Sequence, residues 1–207
     1  EPARTAREFK RRLGDPTPMI LGGTPYGAES VTGLLLRAVV EKAIEQRGER
    51  PGLVAVTHPA SYGPYKLDLL HQAVRQADIG DTIFLSAPEA AALHYAAQER
   101  IETGTVVAVY DFGGGTFDAS VLRKTPEGFE LLGQPEGLER LGGIDFDEAI
   151  FQHVIAAVRA QGHDVDASDA AALARVREEC REAKEALSAD TEAVIPVALP
   201  GVHTQVR

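Results

Sequence analysis

TVVAVYDFGGGTFDASVL, residues 105–122, consists of two strand-like runs around a turn of three consecutive glycines. Gly113, Gly114 and Gly115 let the backbone turn tightly and bring N–H groups against an anion with no Cβ in the way, and the Thr116 hydroxyl adds a donor. Asp111 and Asp118 flank the turn with carboxylates suited to the water shell of Mg2+, an ion that dehydrates reluctantly and prefers oxygen ligands. The same residues also suit a plain glycine-rich hairpin whose aspartates cap and solvate it, and local chemistry leaves both possibilities open. No GxxxxGK[ST] occurs, and these glycines join strand to strand rather than strand to helix. Neither a P-loop nor a Rossmann turn is supported.

Upstream of the turn, helices alternate with short apolar strands. Residues 31–47 carry Leu35, Val39 and Ala43 at intervals of four, with Leu36 and Val40 alongside, which predicts an amphipathic helix ended by Gly48. Leu53–Val56 predicts a buried strand, residues 64–78 a second helix, Ile83–Leu85 another strand, and Pro88 opens a third helix through Gln98. Such alternation predicts an α/β sheet covered by helices. From Thr105 a hairpin meander replaces it, with GFELLG as a third strand, so residues 102–105 are the expected boundary between two lobes. Beyond Gly142 and Gly143, Asp145 is expected to cap a helix with Phe146, Ile150, Val154 and Val158 on one face. Ser168 is expected to cap another, with Leu173, Val176, Cys180, Ala183 and Leu187 in steps of three and four, before the strand-like EAVIPVAL.

The composition limits what the chain can be. A length of 207 residues with 44% hydrophobic content supports a packed core. Net charge of −10, from 31 acidic and 21 basic residues, disfavours a broad surface for nucleic acid or anionic lipid. Cys180 is the only cysteine, so an internal disulfide and a thiolate metal cage are ruled out, and a reducing cytoplasm is expected. There is no apolar run of membrane-spanning length, and the six histidines show no paired spacing. The chain starts at Glu1 and its single methionine is Met19, which predicts a piece of something longer.

VYDFGGGTFDASVL resembles the second phosphate motif of the actin-like ATPase superfamily, and its TFD ending resembles the DnaK (heat-shock protein 70) chaperones more than the filament proteins. Further stretches agree in order and spacing: EFKRRLG at residues 8–14, Pro59 with Ala60, PEAAALHY at 88–95, LGGIDFDEAI at 141–150 and CREAKEALS at 180–188. The resemblance implies an α/β, actin-like (ribonuclease-H-like) fold of two incomplete lobes, residues 1–104 and 105–207. It further implies ATP or ADP and Mg2+ as ligands, and an ATPase cycle that gates unfolded client peptides together with co-chaperones.

On that resemblance Lys10 matches the lysine set against the terminal phosphate, where a fixed cation stabilises charge developing in phosphoryl transfer. Read alone, Lys10, Arg11 and Arg12 suit a solvated helix face equally well. Gly113, Gly114, Gly115 and Thr116 match the phosphate contacts, and Asp111 and Asp118 match the carboxylates that position Mg2+ waters and the attacking water. Gly142 and Gly143 match the turn that approaches the nucleotide, while Lys184 and Ser188 match residues that hold the ribose and adenine edge. Lys184 also lies among Glu178, Glu182 and Glu185 at helical spacing and suits a simple i,i+4 partner.

Several positions depart from the family pattern. Ala87 replaces a Glu that helps the metal, Leu67 stands near an interlobe Arg, Ser61 replaces a Tyr, and Arg181 replaces an acidic residue beside the adenosine. A noncatalytic, nucleotide-responsive scaffold of the same fold is therefore the leading alternative, and a sugar kinase is disfavoured by TFD together with LGGIDFD. The family's first phosphate loop and its late GGS adenosine motif are not found in residues 1–207, so this stretch alone is expected to bind ATP weakly.

Overall fold

The computed structural model describes residues 4–166 and 168–207. They divide into two compact units: the described residues through Phe112 together with Thr116–Glu139, and Gly113–Gly115 together with Arg140–Arg207. Both mix helices with small sheets, the α/β class expected from the alternation of helical and strand-like runs.

In the first unit a 3-10 turn at Phe9–Arg12 precedes a hairpin of β1 (Met19–Leu21) and β2 (Thr24–Tyr26). Its two-residue turn places Gly22 and Gly23 at positive φ, the backbone that tight hairpins require. Helix α1 (Ala28–Arg47) follows and ends at Gly48. β3 (Val54–His58), α2 (Pro64–Ala77) and β4 (Thr82–Ser86) make a strand–helix–strand unit with parallel pairing, Val54 opposite Thr82 and His58 opposite Ser86. α3 (Ala87–Gln98) starts directly from β4, capped by Ser86, whose Oγ accepts from the Glu89 N–H at 3.3 Å. β5 (Val106–Phe112), β6 (Phe117–Lys124) and β7 (Phe129–Leu138) form the expected antiparallel meander.

The apolar face of α1 differs from the expected one. Leu36 and Val40 pack against Leu70, Val74, Ala77, Ile79 and Val56, whereas Leu35 and Val39 are 50% and 58% exposed. This helix has more apolar residues than one stripe can use, and Arg37 helps to choose the face. Its guanidinium donates to the carbonyls of Gln76 and Ala77, the latter at 3.0 Å, satisfying groups that the end of α2 leaves without an intrahelical partner.

The second unit packs α4 (Gly143–Ala160) and α5 (Ala170–Ala186) against the hairpin of β8 (Ile195–Leu199) and β9 (Val202–Val206). Val154, Val158, Val176 and Cys180 are fully buried in its core, and each valine of this kind contributes on the order of 1.5–3 kcal/mol through burial. Two expected caps shift position. Gly142 stands at the N-cap of α4, and Asp145 reaches back from the third position to accept its N–H at 2.8 Å. Asp169 rather than Ser168 caps α5, because its carboxylate lies three residues before the Ala172 N–H that it accepts at 2.8 Å. The Ser168 N–H instead donates to Asp166. Phe146 and Leu187, at the outer ends of the expected stripes, are 41% and 46% exposed. Among the described residues no helix is long and apolar enough to cross a membrane.

Candidate functional site

In the second unit the glycine turn is bolted to the start of α4. The Gly143 N–H donates to the Gly113 carbonyl at 3.1 Å and the Ile144 N–H to the Gly114 carbonyl at 2.9 Å. Two N–H groups that a helix start leaves without intrahelical partners are thereby satisfied. The approach is close enough to demand glycine at position 142. A Cβ there would stand 2.6 Å from the Gly115 nitrogen and 2.7 Å from the Gly114 carbonyl carbon. Lys184 locks the same corner from α5, donating to the Gly143 carbonyl at 3.1 Å and pairing with Asp147 Oδ1 at 2.6 Å. Its partner is thus on another helix, while Arg181 takes the neighbouring Glu178 and Glu185. Gly113, Gly114, Gly115, Gly142, Gly143 and Lys184 are brought together. Ser188 lies past the end of α5, exposed, with its N–H bonded to the Glu185 carbonyl at 3.1 Å.

Within the first unit a small recess is lined by Lys10, Arg11, Pro59, Ser61, Tyr62, Lys66, Thr116, Asp118 and Glu139. The 3-10 turn supplies Lys10 and Arg11, the loop after β3 supplies Pro59 to Tyr62, and α2 supplies Lys66. Thr116 and Asp118 come from the entry into β6. Lys10, Thr116 and Asp118, more than 100 positions apart in part, therefore share one cavity. Asp118 is seated by a glycine on the next strand: a Cβ at Gly137 would stand 2.6 Å from its Oδ1.

The basic run at residues 10–12 separates by role. Arg12 pairs with Asp15 at 3.4 Å and donates to the Thr17 carbonyl at 2.8 Å, and Arg11 pairs with Glu8 at 3.2 Å. Lys10 is exposed and has no ion pair among the described residues. Across the recess Lys66 pairs with Glu139 and lies 5.3 Å from the centre of the Tyr62 ring. Burial pushes the Tyr62 phenol up to about 12, helped by the negative charges of Glu139 and Asp118. It remains a neutral hydrogen-bonding group at ordinary pH.

Asp111 is the direct cross-strand partner of Asp118, so the two carboxylates leave the sheet on the same face. Asp111 is exposed and is not part of the recess wall. Among the described residues no group of three or more His, Cys, Asp or Glu gathers as a metal cage. Mg2+ needs less than that: it keeps several waters and takes one or two carboxylates together with phosphate oxygens. This oxygen-only pair, with the Asp118 carboxylate held in a slot that a Cβ at position 137 would fill, fits that ion.

Lys66, Tyr62 and Glu139 carry no local motif, and only the fold brings them to Lys10 and Asp118. Among the departures from the family pattern, Ser61 lines the recess, Ala87 is the first residue of α3, and Leu67 is half-buried in α2. Cys180 is a packed thiol, pushed up to about 11 by burial.

The family model described as Hsp70 protein matches residues 16–205, nearly the whole chain. Lys10 precedes the matched stretch, whereas the DFGGGTFD turn, the Gly142–Gly143 helix start, Lys66 and Lys184 all lie inside it. Domains of this family bind ATP and ADP. The match covers the glycine turn and all of α1 to α5, and the chain belongs to the Hsp70 family of chaperones.

Proposed function

We propose that this chain is part of the ATP-binding and ATP-hydrolysing domain of a DnaK-like chaperone, whose nucleotide cycle gates the binding of unfolded peptides and which works with co-chaperones in the intact protein. The proposal takes residues 1–104 and 105–207 as two incomplete lobes of the actin-like, ribonuclease-H-like fold. A cytoplasmic location and a role in stress response belong to the same proposal, the former resting on the lone buried Cys180 thiol. What supports it most is the recess in which Lys10, Thr116 and Asp118 meet, a cation, a hydroxyl and a carboxylate gathered from distant parts of the chain.

In this mechanism the chain contributes positioning and electrostatics rather than covalent chemistry. Backbone N–H groups of Gly113, Gly114 and Gly115 and the Thr116 hydroxyl orient the phosphates. The Lys10 ammonium neutralises charge that grows on the transferring phosphoryl oxygens, where a preset cation costs no reorganisation. Asp118 accepts a hydrogen bond from the attacking water and aims it at phosphorus. Asp111 and Asp118 would hold Mg2+ through water, and the ion would supply charge neutralisation on the phosphate oxygens. Gly142 and Gly143 keep the turn in place, Lys184 clamps them, and Lys184 and Ser188 together form the nucleoside side.

A noncatalytic scaffold that binds nucleotide without turnover is the second reading, favoured by Ala87, which puts a methyl group at the start of α3 where the family pattern has a carboxylate. Single-turnover hydrolysis of ATP by the full-length protein separates the two. Measurable phosphate release that falls by two or more orders of magnitude in Lys10→Ala and in Asp118→Ala supports the ATPase. Tight ATP binding with no release supports the scaffold, and release unchanged in both variants rejects the assigned roles.

A further inference from the structure

The recess carries a second lysine that the sequence motifs do not include. Three cations line it, and Arg11 is already engaged by Glu8 at 3.2 Å. Lys66, from the first turn of α2, has a side chain only 27% exposed, carried over the Tyr62 ring and paired with Glu139. The Glu139 side chain is 59% exposed. A pair with one end in water holds weakly and exchanges readily. A terminal phosphate offers the same ammonium more charge and more acceptor oxygens than one carboxylate does. Glu139 also adds a second negative charge to a cavity that already holds Asp118, and that charge opposes an incoming phosphate unless it moves aside.

We propose that Lys66 is a second lysine for the terminal phosphate of the nucleotide, and that Glu139 is its displaceable internal counter-ion whenever that phosphate is missing. This rests on reading the recess as the phosphate end of an ATP site. It deepens that reading, because Lys66 then serves to tell ATP from ADP. Only ATP brings the group that takes Lys66 from Glu139. ADP leaves the internal pair closed.

The test is calorimetric titration of the full-length protein with ATP and with ADP, each in the presence of Mg2+, for wild type, Lys66→Met, Lys66→Arg and Glu139→Gln. Lys66→Met is expected to weaken ATP about tenfold or more while changing ADP by less than about threefold, the loss of one charged donor to a phosphate. Lys66→Arg should restore most of the preference for ATP. Glu139→Gln should tighten ATP severalfold and leave ADP unchanged, since it removes the competing charge at constant size. Equal losses for both nucleotides in Lys66→Met, or no loss, would overturn the Lys66 role while leaving the ATP site standing. If Lys66→Met does not fold, Glu139→Gln decides alone, and unchanged ATP affinity there overturns the counter-ion role. A wild-type protein that binds neither nucleotide overturns the underlying ATP site.

Discussion

Replacing Gly142 by Ala drives a methyl group into the backbone of the glycine turn. The added carbon would stand 2.6–2.7 Å from the Gly115 nitrogen and the Gly114 and Gly115 carbonyl carbons, and backbone cannot rotate away as a side-chain tip can. The φ of Gly142 is −168°, an extended conformation open to any residue, so the cost is contact and not torsion. To make room, the turn has to part from the start of α4, straining the Gly143-to-Gly113 and Ile144-to-Gly114 hydrogen bonds. Two such bonds are worth about 1 kcal/mol each, and overpacking adds about 1–3 kcal/mol. Together the loss should be about 3–5 kcal/mol in urea unfolding, seen as a lower midpoint with an unchanged slope. Gly114→Ala is the matched control, since a Cβ there meets nothing within 4 Å. It should leave stability equal or up to about 1 kcal/mol higher, yet weaken ATP by about tenfold or more by placing a methyl group where phosphate approaches. A Gly142→Ala protein within about 0.5 kcal/mol of wild type would refute the close-packed corner.

Three further outcomes follow from the packing and the charges. Val154→Ala, at a fully buried position in the core of the second unit, should cost about 2–3 kcal/mol in the same unfolding assay. Tyr62 should titrate near 12 by ultraviolet absorbance, so its contribution to stability is present in full below the ordinary value of 10.0 and is lost as pH rises through about 12. Tyr62→Phe should flatten that alkaline limb. Glu148, held below its ordinary 4.5 by hydrogen bonds from Arg177 and Gln152, contributes stability that is present above that value and lost as pH falls through the folded one. Glu148→Gln should flatten the acid limb of stability against pH, and an unchanged limb would show the Glu148–Arg177 pair to be inert.

Much of the fold was legible because local chemistry and tertiary packing agree. The meander around DFGGGTFD, the parallel pair joined by α2, and the α4 and α5 helices all follow from periodicity and breakers at the expected places. The expectation failed where the residues offered several solutions. α1 carries apolar side chains on more than one face, and the choice of Leu36 and Val40 over Leu35 and Val39 depends on α2 and on Arg37 reaching its last carbonyls. The caps at Gly142 and Asp169 depend on which N–H groups are left open once the helix start is fixed. The β1–β2 and β8–β9 hairpins were missed as pairs because strands of three to five residues leave too little alternation to read. For the recess, the motif residues were visible in the sequence, but Lys66, Tyr62 and Glu139 were not. Their placement depends on long-range packing, and nothing in GPYK or GLER marks it.

The central claim, that this recess receives the terminal phosphate of ATP, is tested most directly by calorimetric titration of MgATP into the full-length protein and its Lys10→Ala variant. Lys10 is the cation in that cavity with no ion pair among the described residues, so its removal takes away a charged donor without breaking an internal partner. Losing one such donor to phosphate is worth about 1.5–3 kcal/mol, which predicts wild-type binding weakened by roughly 10- to 150-fold with the unfolding midpoint unchanged. Equal MgATP affinity in the two proteins, or no binding by the wild type, would contradict it.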